Sequence, residues 1–202
     1  MTRTKPAEQR RADLLAAGQA LFVAKGITGT SLEDITNGAG VSKGLFYLYF
    51  RSKEDMVLAL QEQFSGQLAE RVRAAACAEP DWARKLDACV LAAVEYYRDR
   101  HDQHEVLFHH AGHTDRAHGP SHGPLVEAIR ELLEAGVAAD AYRIEDPATT
   151  AVIFYAIMHA FDHDMYGGSP PADDQLTRAT QQLFRRAAAV PDQASPDQAA
   201  TT

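Results

Sequence analysis

VSKGLFYLYFRSKEDM, residues 41–56, is the stretch that decides the fold. Four of the five residues from Phe46 to Phe50 are aromatic, with Lys43 before them and Arg51 and Lys53 after. A helix with one buried face repeats its apolar residues three or four apart. A solid aromatic block on so short a segment therefore serves two surfaces. Phe46 and Phe50, four apart, form a pair that faces a core. Tyr47 and Tyr49 are left to face elsewhere, with hydroxyls able to donate to phosphate oxygens.

Working outward, Ser42 stands where a helix N-cap belongs, and the helix it opens covers about Lys43 to Tyr49. Upstream, Ser31-Leu-Glu-Asp34 has the form of a capping box with Ile35 beginning the buried face. Gly38 and Gly40 end that helix quickly. Before it, a first helix runs from about Ala7 to Lys25, with Leu14, Leu15, Gly18, Leu21 and Phe22 on one face and Gly26 as a left-handed cap. Downstream, Ser52-Lys-Glu-Asp55 repeats the capping pattern and opens a fourth helix to about Ala76.

Two short helices joined by a tight glycine-containing turn have the layout of a helix-turn-helix. In that motif the N-terminal end of the second helix meets base edges in the major groove. Ser42, Lys43, Gly44 and Leu45 occupy that end. Gly44 lets the backbone come close, and Lys43 can reach a guanine edge or a phosphate. Lys53, in the first turn of helix four, is expected to contact phosphate, as are Tyr47 and Tyr49. Ser31 joins this set because the free amides at a helix start favour anions.

Charge supports that division. The net charge is −8, yet residues 1–53 hold eight basic and four acidic residues, giving +4. The remainder holds twelve basic and twenty-four acidic residues, giving −12. A basic front end on an acidic body suggests that one part meets a polyanion and the rest does something else.

Past Pro80, helical periodicity places further helices at 81–100, 103–113, 122–138, 147–165 and 173–189. Strand signals are almost absent. The fold class expected is all-α with about nine helices: a three-helix head over 1–53, a larger body over 54–190, and a disordered tail over 191–202. No run of eighteen apolar residues exists, and AVIFYAIMHAF (151–161) stops at Asp162, too short to cross a bilayer. The N-terminus lacks the apolar region of a secretory signal. Cys77 and Cys89 are too few for a disulfide framework and are expected to be small reduced core residues. These features suggest a cytoplasmic protein.

Residues 11–57 resemble the DNA-binding region of the TetR family of bacterial transcriptional regulators. The matching features are LFVAKGITGTSLEDI, the GAGVSKG turn, the FYLYF core and the SKEDM helix start. A weaker resemblance continues through LLEAGVAADAYRIEDPATTAVIFYAIMHA. The resemblance implies a homodimer, each subunit with a helical DNA-binding head and a ligand-binding body. Two positions depart from the family pattern. Leu48 stands where a His is common, and Glu33, early in helix two, would repel phosphate unless paired.

In the body, the helix at 147–165 is apolar nearly all round, so it needs cover on both sides. With the helix at 173–189, carrying Leu176, Leu183 and Phe184, it is expected to form a four-helix bundle with a second subunit. A small-molecule effector pocket is expected from Phe64, Trp82, Tyr97, Phe108, His109, Tyr155 and His159, each of which ordinary core packing would also explain. Seven of the nine histidines lie between 101 and 122. His109 with His113, and His159 with His163, have the i,i+4 spacing of metal ligands. If their helices border one cavity the four imidazoles could converge, but neither an H-E-x-x-H nor an E-x-x-H motif is present, and no metal or cofactor is assigned. No catalytic triad or phosphate-cradling loop stands out, so no enzyme activity is expected.

The reading is a homodimeric repressor released from a palindromic operator by a small molecule. The alternatives are a metal-dependent helical enzyme or metal-sensing regulator using the histidines, and a DNA-binding dimer without an effector.

Overall fold

Serine and glycine punctuation fixes the first four helices. The computed structural model describes residues 6–109, 123–158 and 173–188. In order they form α1 (Ala7–Lys25), α2 (Leu32–Ala39), α3 (Lys43–Tyr49), α4 (Lys53–Ala78), α5 (Trp82–Asp99), α6 (His101–His104), a π-helical turn (Glu105–His109), α7 (Gly123–Ala138), α8 (Pro147–Met158) and α9 (Asp173–Ala187). Among the described residues there is no strand, in keeping with the all-α expectation. The helix expected at 103–113 begins as α6 and the π-helical turn instead. The stretch 191–202 and the far end of the helix expected at 147–165 lie outside the described residues.

Each serine caps as its position suggests. Ser31 Oγ accepts from the Asp34 amide at 3.1 Å, and the Asp34 carboxylate accepts from the Ser31 amide at 3.0 Å. The Ser31 amide, the Ser31 hydroxyl and Lys25 together hold the Asp34 carboxyl below its usual range. Ser42 Oγ accepts from the Leu45 amide at 3.2 Å. Ser52 Oγ accepts from the Asp55 amide at 3.2 Å, while the Asp55 carboxylate reaches back to the Arg51 amide at 2.8 Å. Gly40 closes α2 at φ 65, a left-handed conformation in which a side chain would be strained.

The described residues form two compact units, one within 1–67 and 97–124 and the other within 68–96 and 125–202. The head expected at 1–53 lies within the first. There α1 packs on α2, and Leu14, Leu15, Phe22, Ile35, Phe46, Phe50, Met56, Val57 and Leu60 make one buried core. Val106 and Leu107 of the π-helical turn complete it. A π-helical turn disturbs the regular backbone bonding of a helix. Gln61 meets the Leu107 carbonyl there, donating to it at 2.6 Å. Beside it His104 is buried, stacked on Phe108 at 4.9 Å, with Tyr97 at 5.0 Å and Phe64 at 5.5 Å.

In the second unit, the turn after α7 is stapled by Tyr142. Its hydroxyl donates to the Trp82 carbonyl at 2.7 Å. Its ring lies so close to Gly136 that a Cβ there would stand 2.0 Å from a ring carbon. Burial pushes the Tyr142 hydroxyl pKa up. Lys85 donates to the Ala76 and Glu79 carbonyls near the end of α4, at 2.9 and 2.5 Å. Phe154 of α8 stacks on Phe184 of α9 at 3.7 Å. Asp87 of α5 meets Arg185 of α9 at 3.6 Å.

The cysteines divide. Cys89 is buried, and desolvation pushes its thiol up to about 12. Cys77 is exposed, against the expectation of a core residue. The buried face of α4 runs through Val72 and Ala76, and one residue beyond Ala76 the helix has turned about 100° away from it.

Candidate nucleic-acid interface

The outer surface of α3 is set by its inner one. Phe46 and Phe50 are both buried, with ring centroids 5.5 Å apart, and the Arg11 guanidinium lies 5.4 Å from the Phe50 centroid. With those rings fixed inward, Tyr47 is 59% exposed and Leu48 76% exposed. Tyr49 differs from the expectation: it is half-buried and packs against the core. At about 100° per residue, position 49 returns to within roughly 60° of Phe46, whereas 47 and 48 point away. The outward pair is therefore Tyr47 and Leu48, and Leu48, noted in the sequence only as a departure, is the residue that was missed.

The start of α3 is open. Gly44 is exposed, and a Cβ there would meet nothing nearer than Ser42 Oγ at 3.9 Å. Leu45 is half-buried. Lys43 donates from Nζ to Glu33 Oε2 at 3.0 Å, so the acid that would repel phosphate is paired. Ser31 is exposed, but its hydroxyl already donates to the Asp34 carboxylate at 2.8 Å.

Lys53 does not project freely as a phosphate contact should. Its ammonium turns inward and donates to the carbonyls of Ile27 at 2.7 Å and Thr30 at 2.9 Å. Thr30 is itself buried and donates from Oγ1 to the Gly26 carbonyl at 2.8 Å. The α1–α2 connection thus offers two carbonyl acceptors to the Lys53 ammonium.

Of the expected effector residues, the structure brings together Phe64, Tyr97 and Phe108. Phe64 lies 6.0 Å from Tyr97 and 5.6 Å from Phe108 between centroids. His104, at their centre, was overlooked although its i,i+4 spacing to Phe108 was readable. Trp82 belongs to the second unit, where its ring meets Tyr142 edge-on at 5.5 Å. Tyr155, also in that unit, is half-buried on α8. His109 ends the π-helical turn, and His159 lies outside the described residues, as do His113 and His163. Among the described residues, no three His, Cys, Asp or Glu side chains are grouped to hold a metal. No helix among them is long and apolar enough to cross a membrane.

Residues 14–60, from α1 into the second turn of α4, match the family model for bacterial regulatory proteins of the tetR family. The transcriptional activator FasR of Mycolicibacterium smegmatis is 30% identical over 103 residues, 51% of this chain and 47% of FasR. The transcriptional repressor KstR2 of Mycobacterium tuberculosis is 33% identical over 94 residues, 46% of this chain and 47% of KstR2. The chain thus spans about half the length of the curated relatives it matches. The crystal structure of the regulator FadR from Bacillus subtilis, in complex with stearoyl-CoA, shares the fold. It is 15% identical with a TM-score of 0.70, over 87% of this chain and 98% of FadR. The family model for tetR regulators falls on the helix-turn-helix at residues 14–60, and the fold shared with FadR extends over most of the chain.

Proposed function

We propose that this protein is a ligand-responsive, DNA-binding transcriptional regulator that works in the cytoplasm by binding and not by catalysis. It acts as a homodimeric repressor, released from a palindromic operator by a small-molecule effector. The observation that carries the reading is α3: one face buried in the core, the other presenting Tyr47, Leu48 and the open Lys43–Gly44 end. Lys43, Gly44 and Leu45 face base edges, and Ser42 and Tyr47 face phosphates. The two α3 helices of the dimer enter successive major grooves about one helical turn apart.

The second subunit is held through α8 and α9. Val152 and Ile153 are 53% and 52% exposed on α8, and Leu183 is 47% exposed on α9. The Phe154–Phe184 stack ties the two helices that carry them. The effector sits against Phe64, Tyr97, Phe108 and His104, apolar rings with one imidazole to orient a polar group. FadR in complex with stearoyl-CoA is a precedent for a ligand with a long acyl chain in this fold. The related names include both an activator and a repressor, so a reporter assay decides the direction of control.

The test is fluorescence anisotropy of a labelled duplex taken from upstream of the coding sequence, titrated at two salt concentrations. Binding on the order of 10⁻⁸ M that outcompetes random DNA is expected. It should weaken steeply as salt rises, because phosphate contacts release counterions. Affinity equal to that for random DNA on every duplex, with no salt dependence, overturns the reading.

A further inference from the structure

We infer that Lys53 is a positioning residue that closes the helix-turn-helix, and that it does not grip a phosphate. The inference rests on reading α3 as the helix that meets DNA. Lys53 is the first residue of α4, and its ammonium donates to carbonyls 26 and 23 residues earlier in the chain. Everything between those ends is α2, the turn and α3. One side chain therefore ties the entrance of the motif to its exit.

The bonds are 2.7 and 2.9 Å long, the first short for N–H···O, and charge-assisted bonds of this kind are about twice as strong as neutral ones. An ammonium has three donors, so two are committed to the α1–α2 connection. The half-buried side chain would have to leave both carbonyls to reach outward.

The clamp also has a path to the recognition helix. The connection it holds leads directly into the Ser31 cap of α2. From the first turn of α2, Glu33 holds Lys43, the first residue of α3, at 3.0 Å. A shift of the α1–α2 connection thus reaches the residues expected to meet base edges. No comparable bond is readable from the capping motif that contains Lys53, whose expected partners are local.

Lys53→Met in the full-length dimer keeps the apolar stem and removes the ammonium. Amide hydrogen exchange is followed by mass spectrometry over residues 26–36 in the free protein. Duplex anisotropy is measured across a range of salt concentrations, well below both melting temperatures. We expect exchange in that segment to rise about 10-fold, against no change in α8 and α9. Operator affinity should fall by roughly the same factor with its salt slope unchanged.

Unaltered exchange sinks the clamp, whatever happens on DNA. Lower affinity with a salt slope shallower by about 0.9 per subunit means a direct phosphate contact and overturns the inference. Faster exchange with unaltered affinity means that Lys53 only braces the head, which overturns the positioning role. Wild-type protein that binds no DNA overturns the functional reading and the positioning role together, while exchange still decides the clamp itself. If the methionine variant does not fold, Lys53→Arg decides. A phosphate contact tolerates arginine, with exchange and affinity unchanged. The clamp predicts faster exchange, because a planar fork does not reproduce a point donor between two carbonyls.

Discussion

Helices α3 and α8 both leave large apolar side chains in the open, and the surroundings of those side chains differ. On α3, Tyr47 and Leu48 share the surface with Lys43 and, from α2, Glu33. On α8, the segment PATTAVIFYAIM exposes Val152 and Ile153 and contains no charged residue at all. An apolar group among charges suits a hydrated, charged partner, whose grooves accept both. An apolar strip without charge is covered only by another apolar surface. Exposure alone therefore does not name a partner; the neighbouring charge separates the proposed nucleic-acid face from the proposed subunit face.

The largest expected effect tests the inner side of α3. Phe46→Ala empties a fully buried site and should cost about 3–5 kcal/mol in denaturant unfolding. Leu48→Ala, on the outer side, should stay within about 0.5 kcal/mol. Equal costs would mean that the outer face is covered in the free protein, and the comparison with α8 would fail.

Next comes a pair of variants that should separate the two faces. Ile153→Glu sets a carboxylate in the proposed subunit contact. The dimer dissociation constant should rise on the order of 100-fold, or about 3 kcal/mol, by light scattering on a sizing column. Leu48→Glu should leave the dimer intact and abolish duplex binding, since a carboxylate then faces phosphate. The opposite pairing of outcomes would exchange the roles assigned to the two helices.

A finer probe of α3 is Tyr47→Phe, which removes one hydroxyl. Duplex affinity should fall roughly 10-fold, about 1.4 kcal/mol, on operator and random DNA alike. The salt slope should not change, because tyrosine carries no charge to exchange for a counterion. A loss confined to the operator would make Tyr47 a reader of bases.

The head was legible because its signals are local. Ser31, Ser42 and Ser52 cap within three residues of themselves, and Gly40 needs only its own backbone conformation. The outward turn of Leu48 was equally local, and counting 100° per residue from Phe46 would have found it. What was not legible depends on partners far along the chain. The inward turn of Lys53 depends on two carbonyls of another loop. The π-helical turn at Glu105–His109 has no composition signature, and the bond to its Leu107 carbonyl comes from Gln61, 46 residues upstream. The aromatic group around His104 likewise joins α4, α5 and the turn. Position within a helix can be counted; these meetings could not.

The smallest effect concerns what backs each face. Behind α3 lies the apolar core around Phe46 and Phe50, whereas α9 is tied to α5 by Asp87 and Arg185, with Gln181 donating to the Asp87 carbonyl at 3.0 Å. That pair is poorly satisfied: Asp87 Oδ1 and Arg185 Nε are buried and have no hydrogen-bond partner among the described residues. Burial raises the Asp87 pKa, Arg185 opposes that rise and Asp81 adds to it. The folded protein therefore holds this proton more tightly than the unfolded chain. Between the ordinary carboxylate pKa of about 4 and the raised folded value, the folded state binds more protons, so its stability falls as pH rises through that window. Asp87→Asn removes the titration. Its melting temperature at neutral pH should equal or slightly exceed that of the wild type, and its profile just above the ordinary carboxylate pKa of about 4 should be flatter. A clear drop at neutral pH would mean that Arg185 outweighs the burial, and the backing of α9 would then be held by charge as firmly as that of α3 is by Phe46 and Phe50.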